Sequence, residues 1–184
     1  DRVRYYQIWN EPNLAKEWGG LPPDPEAYAR LLARAFGALK GVDNRNIVIA
    51  APLAATLENS PRAMDELTFA ERLYDAGGGD YLDVQAANAF GLEYPPEAAP
   101  DRDVLNFRRV EFLRELMVEF GLGNKPIWFN EYGWNASPAD MSPEKLVWRR
   151  VSEERQAEWS VEGVRYGLTH WPWAGVFNIW FFRK

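Results

Sequence analysis

Apolar positions along the chain alternate between short continuous runs and stripes spaced three and four apart, the patterns of buried strands and one-sided helices. Tyr5-Tyr6-Gln7-Ile8-Trp9 reads as a strand that runs into Asn10-Glu11-Pro12. A Gly- and Pro-rich loop follows over 19–25, and Asp24 is placed to cap a helix with Pro25 at its first position and Glu26 behind it. The apolar stripe of that helix is Tyr28, Leu31, Leu32, Ala35, Phe36 and Leu39, with Gly41 as its stop. Ile47-Val48-Ile49-Ala50 is the second strand, ended by Pro52. Thr68 and Glu71 predict a capping box for a helix through Leu73, broken by Gly77-Gly78-Gly79. A third strand is expected over 81–90. Asp101 or Asp103 then opens a helix that turns Val110, Leu113, Met117 and Phe120 to the core and stops at Gly121. Ile127-Trp128-Phe129 is the fourth strand, leading into Asn130-Glu131. After a long loop over 132–151 comes a helix carrying Ala157, Val161, Val164 and Leu168, and residues 176–181 form the fifth strand.

Strands alternating with helices imply a parallel α/β sheet with right-handed crossovers. An open doubly wound sheet and a closed (β/α)8 barrel both fit that rhythm. A dinucleotide-binding sheet needs its glycine-rich turn after a strand, whereas Gly77 to Gly79 follow a helix and precede a strand. A barrel gathers its chemistry at the C-terminal ends of its strands, where Glu11 and Glu131 both fall. The barrel is favoured. A complete one takes about 250 residues and eight strands, so these 184 residues are expected to be one domain-sized back portion, with strands 1–3 upstream. The opening on Asp1, already close to strand-like residues, agrees with a segment of a longer protein.

Composition narrows the chemistry. Acidic side chains outnumber basic ones by 27 to 21, giving a net charge of -6 and no basic face for a nucleic acid. No apolar run approaches the length of a membrane helix, and the N-terminus does not resemble a signal peptide. With no cysteine, disulfides, thiolate zinc sites and thiol nucleophiles are excluded. The single histidine, His170, leaves no multi-histidine metal site. Carboxylates, amides, hydroxyls and aromatics remain, and nine tryptophans suit a cleft that stacks sugar rings.

Two tripeptides carry the candidate chemistry. Asn10-Glu11-Pro12 lies within Ile8-Trp9-Asn10-Glu11-Pro12-Asn13, and Asn130-Glu131-Tyr132 lies within a run from Ile127 to Trp134. Each sets a carboxylate just past an apolar strand. Cleaving a glycosidic bond takes two carboxyl groups on one anomeric carbon, one as acid and one as nucleophile or base. A lone Asn-Glu-Pro would pass as a solvated strand end; the matched pair, flanked by tryptophans, points to paired-carboxylate work.

On these motifs the sequence resembles the clan A retaining glycoside hydrolases, with their (β/α)8 TIM-barrel fold. Ile-Trp-Asn-Glu-Pro-Asn looks like their strand-4 motif, and Ile-Trp-Phe-Asn-Glu-Tyr-Gly-Trp looks like their strand-7 motif. Phe177-Asn178-Ile179-Trp180 is similar to their strand 8. The resemblance spans essentially the whole chain. It implies Glu11 as acid/base, Glu131 as nucleophile, Asn10 as donor to the sugar 2-hydroxyl and Trp180 as the stacking floor. It also implies a carbohydrate substrate, most often β-linked, carboxyls roughly 5–5.5 Å apart, no metal or organic cofactor, and a secreted setting. Two features depart from the family. Where its members often carry His-x-Tyr after strand 6, this chain has Asn88-Ala89-Phe90, so Asn88 takes the histidine's place and Phe90 has no phenol to offer Glu131. The groups that strands 1–3 would bring are absent from these residues.

Trp18, Tyr94 and Trp134 fall in strand-to-helix loops, where they either stack sugar rings at the rim or join the core. Trp148 and Trp159 read as packing, His170 as structural at the opposite rim, and Asn135-Ala136-Ser137 matches a glycosylation sequon followed by Pro138. The expected activity is retaining O-glycoside hydrolysis. A carbohydrate-binding barrel without turnover and a transglycosylase using the same carboxylates are the alternatives. Alone, five strands cannot close a barrel, so the isolated piece is expected to expose sheet edges and to be inactive.

Overall fold

The computed structural model describes residues 3–138, 140–142 and 149–180. Five strands, β1 (Tyr5–Ile8), β2 (Ile47–Ala50), β3 (Val84–Phe90), β4 (Ile127–Gly133) and β5 (Ala174–Ile179), form one sheet in chain order. Every neighbouring pair is parallel. Four helices fill the crossovers: α1 (Pro25–Val42), α2 (Glu66–Asp75), α3 (Val110–Glu119) and α4 (Glu153–His170).

The helix-facing side of the sheet holds the main core. Tyr28 and Leu32 of α1, Phe69 and Leu73 of α2, and Leu113 and Met117 of α3 meet Val48, Ala50, Ala87, Ala89, Ile127 and Phe129. Fully burying side chains of this size contributes about 1.5–3 kcal/mol each. The opposite side has a smaller apolar cluster of Ile49, Val84 and Ala86, with Ile47 and Trp128 against it. At the two open edges Tyr5, Val176, Ile179 and Trp180 are exposed.

Asp24 caps α1 by accepting from the Ala27 N–H at 2.7 Å. That helix runs past the expected stop at Gly41 to Val42, where the Asp43 N–H closes it onto the Leu39 carbonyl. The cap of α2 is Asp65 rather than Thr68, because its carboxylate accepts from the N–H groups of both Leu67 and Thr68. Residues 78–81 form a 3-10 turn, so β3 starts at Val84 instead of 81. The glycines there are packing devices: a Cβ on Gly78 would strike Leu73 and one on Gly79 would strike Leu122. Asp101 folds back onto the Asp103 N–H instead of capping a helix, and α3 starts only after a 3-10 turn at Phe107–Arg109.

Three further boundaries differ. β4 continues through Glu131 to Gly133, beyond the expected 127–129. β5 starts at Ala174 rather than 176, and residue 181 lies outside the described residues, as does Trp148. On α4 the apolar residues divide: Ala157, Val161 and Leu168 are exposed, Val164 packs partly buried against the core, and Gly163 and Gly167 are buried. Large aromatics occupy the space the glycines leave. A Cβ on Gly163 would come within 3.3 Å of Trp134, and one on Gly167 within 2.4 Å of Phe177.

Candidate active site

The C-terminal end of β1 turns sharply. Trp9 and Glu11 have φ of 76° and 45°, a region costly for side chains other than glycine, of order 1–3 kcal/mol each. Long-range bonds hold this conformation. The Glu11 N–H donates to the Pro52 carbonyl at 3.0 Å. The Tyr28 hydroxyl donates to Ile8 O at 2.8 Å and accepts from the Ala51 N–H at 2.6 Å, tying the ends of β1 and β2 together. Asn13, fully buried, donates to the carbonyls of Ala54 and Met64 and accepts from the Ala54 N–H. Trp9 Nε1 donates to Glu17 O at 2.9 Å.

Asn88 joins this turn to the middle of the sheet. The β3–β4 register shifts between Ala87 and Asn88, which sets Asn88 opposite Glu131. From there its Nδ2 donates to Glu11 Oε1 at 2.9 Å, across 77 residues of sequence. The bulge aligns Glu131 with Asn88, and the Asn88–Glu11 hydrogen bond adds Glu11 at the same end of the sheet.

The electrostatics follow from that meeting. Burial raises the Glu11 carboxyl above its usual range; the Asn88 hydrogen bond and the Lys16 charge oppose the rise, while Glu17 adds to it. Glu131 is pushed up to about 7, first by burial and then by the negative charge of Glu11. Like charges held this close disfavour joint ionisation, so the pair can keep one proton near neutral pH. A proton holder beside a carboxylate is what acid/base transfer requires. In this chain the donor serves Glu11, and Glu131 carries the larger rise.

Neither a protein-family model nor a curated protein sequence matches the chain. Solved structures do. A glucosidase from Croceicoccus marinus superposes with a TM-score of 0.67 at 16% identity, over 95% of this chain and 32% of its own. A family 51 α-L-arabinofuranosidase from Bifidobacterium longum gives 0.67 at 13%, over 97% and 38%. A GH128 exo-β-1,3-glucanase from Aureobasidium namibiae gives 0.62 at 12%, over 98% and 55%. The fold is part of a TIM barrel. The chain spans between about a third and about half of these proteins, which include an α- and a β-linkage glycosidase.

Within this part-barrel the remaining expected residues separate. Asn10 is half-buried beside Glu11, and its amide makes no hydrogen bond to another described residue. Trp180 follows β5, its N–H on the Tyr132 carbonyl at 2.9 Å, and is 54% exposed. Trp18 is half-buried, edge-on between Trp9 and Tyr28. Trp134 is not at the rim. It is 4% exposed, gives its Nε1 proton to Tyr94 O at 2.7 Å, and packs on Phe107 and Trp159. His170 stacks on Tyr166 at the end of α4. Among the described residues no three acidic or histidine side chains gather where a metal ion could sit, and no helix is long and apolar enough to cross a membrane.

Two residues escaped sequence reasoning. Asn13 completes the first motif, but nothing local says that its amide locks the β1 turn to residues 54 and 64. Trp9 is the exposed aromatic of the same turn, with a strand-like neighbourhood that hides its positive φ.

Proposed function

We propose that residues 1–184 form the C-terminal part, strands 4–8, of a retaining glycoside hydrolase barrel acting on β-linked poly- or oligosaccharides. Glu11 protonates the departing oxygen while Glu131 attacks the anomeric carbon; Glu11, now ionised, then activates the water that releases the sugar. The observation that carries this reading is the gathering of two carboxylates at one end of a parallel sheet, Glu11 hydrogen-bonded to Asn88 and Glu131 opposite Asn88 and under the charge of Glu11. Asn10 would donate to the sugar and Trp180 would underlie it. The nucleophile has to be ionised, yet Glu131 sits at about 7 with no hydrogen bond among the causes of its shift. The upstream strands, absent from these residues, would bring donors or cations to it.

Aryl glycosides and azide test the roles in the full-length protein. Glu131→Ala should lose turnover by several orders of magnitude on an activated aryl β-glycoside and, with azide, give the inverted α-glycosyl azide. Glu11→Ala should still form the glycosyl-enzyme and give the β-azide. Swapped products would reverse the roles. Sugar binding without hydrolysis by the unmutated protein would replace the enzyme with a binding barrel, and hydrolysis confined to α-L-arabinofuranosides would overturn the linkage.

A further inference from the structure

We propose that Asn88 is the positioning residue of Glu11: it holds the carboxylate in place and favours its ionised form, without touching the sugar. This rests on Glu11 being the acid/base. The amide is 9% exposed, and its Nδ2 is engaged with Glu11 Oε1 at 2.9 Å. Its Oδ1 is shut off from solvent and accepts no hydrogen bond from a described residue, so it offers nothing to a ligand in the cleft. That orphan also fixes which way the amide points. Turning it by half a rotation would replace one unpaired buried acceptor with two unpaired buried donors, and buried N–H groups without partners are the rarer and costlier case. Burial therefore keeps the donor aimed at Glu11.

A donor locked on a carboxylate stabilises the anion and depresses its pKa. Here it acts against the burial of Glu11, together with the Lys16 charge and against Glu17. Glu131, on the neighbouring strand, is the other titratable group that faces the pair. Glu11 must alternate between acid and base, and Asn88 keeps burial from leaving it protonated when the base is needed. A sugar-binding asparagine would act on substrate affinity instead. The two roles separate in the kinetics.

The experiment measures kcat/KM against pH for the full-length protein, Asn88→Ala and Asn88→Leu, on an aryl glycoside with a poor leaving group. The basic limb reports ionisation of the acid. Removing the donor should move that limb up by about one pH unit, the scale of one hydrogen bond to a charged group, with KM little changed. An unmoved limb, or a raised KM with the limb in place, overturns the proposal. A second readout needs no turnover: a carboxyl-carbon NMR titration of Glu11 in a Glu131→Gln background, with and without Asn88→Ala. Glu11 should titrate higher without Asn88, and an unchanged titration overturns the proposal. If the parent cleaves no glycoside, the enzyme reading fails alone, and the titration still decides the role of Asn88.

Discussion

Replacing Glu131 with glutamine should stabilise the protein at alkaline pH and leave it nearly unchanged at pH 4. The carboxyl rises from 4.5 to about 7 in the fold, a difference of about 2.5 units. At 1.36 kcal/mol per unit that bounds the cost of its charge at about 3.4 kcal/mol. Glu131 is only half-buried, so solvent screening reduces the expected figure to about 1–2 kcal/mol. The sign follows from proton linkage. The folded chain binds this proton more tightly than the unfolded chain, so stability is lost as pH rises from about 4.5 through 7. Glutamine is isosteric and never ionises, which removes that loss. Urea unfolding of the full-length protein and Glu131→Gln, at pH 4 and pH 8, should show the gain at pH 8 alone. Equal gains at both pH values, or a loss at pH 8, would refute the reasoning. Glu11→Gln removes the second cause of the rise and should lower the Glu131 pKa without returning it to 4.5, because burial is the larger cause.

Three further outcomes are expected. Arg109→Met should cost about 3–5 kcal/mol in urea unfolding, because it leaves Asp65 and Glu66 charged without their buried partner and frees the carbonyls of Asp101 and Arg102. Gly91→Ala should yield insoluble protein, since its Cβ would lie 1.9 Å from the Trp134 indole, and Trp134→Leu in the same chain should recover soluble material on a fractionated gel. A polypeptide of residues 1–184 alone should scatter light as aggregates or oligomers and cleave no aryl glycoside, because β1 and β5 both offer open edges with exposed apolar side chains. A monomer with a sharp unfolding transition and turnover would refute that last expectation.

What could be read from the sequence was whatever is written locally. Asp24, Pro25 and the stripe from Tyr28 mark α1 because the cap, the fixed φ and the apolar face lie within one short window. The strands from Tyr5 and Ile127 end near their glutamates for the same reason. On α4 the local signal misled, because a hydrophobic stripe cannot register glycines as the buried face. Gly163 and Gly167 are inside only because Trp134, Phe107 and Phe177, from distant segments, fill the space they leave. Asp65 caps α2 with one carboxylate oxygen, while the other holds Arg109, 44 residues away, a contact no local window shows.

The site repeats that division on a finer scale. The two glutamates could be named from their motifs, but their meeting could not, because it depends on the β3–β4 register, in which one extra residue of β4, Asn130, falls between the pairs Ala87–Phe129 and Asn88–Glu131. The pleat alternates side chains between faces, so without that extra residue Glu131 would pair with the buried Ala89 instead of Asn88. The shift sets Glu131 opposite Asn88, whose amide reaches Glu11 from β3. The strained φ of Glu11 is likewise held by Pro52 and, through Asn13, by Ala54 and Met64. Each carboxylate is therefore tuned by atoms outside its own motif. Substitutions at Asn13 or Asn88 should accordingly alter the chemistry of Glu11 more than changes to its neighbours in sequence.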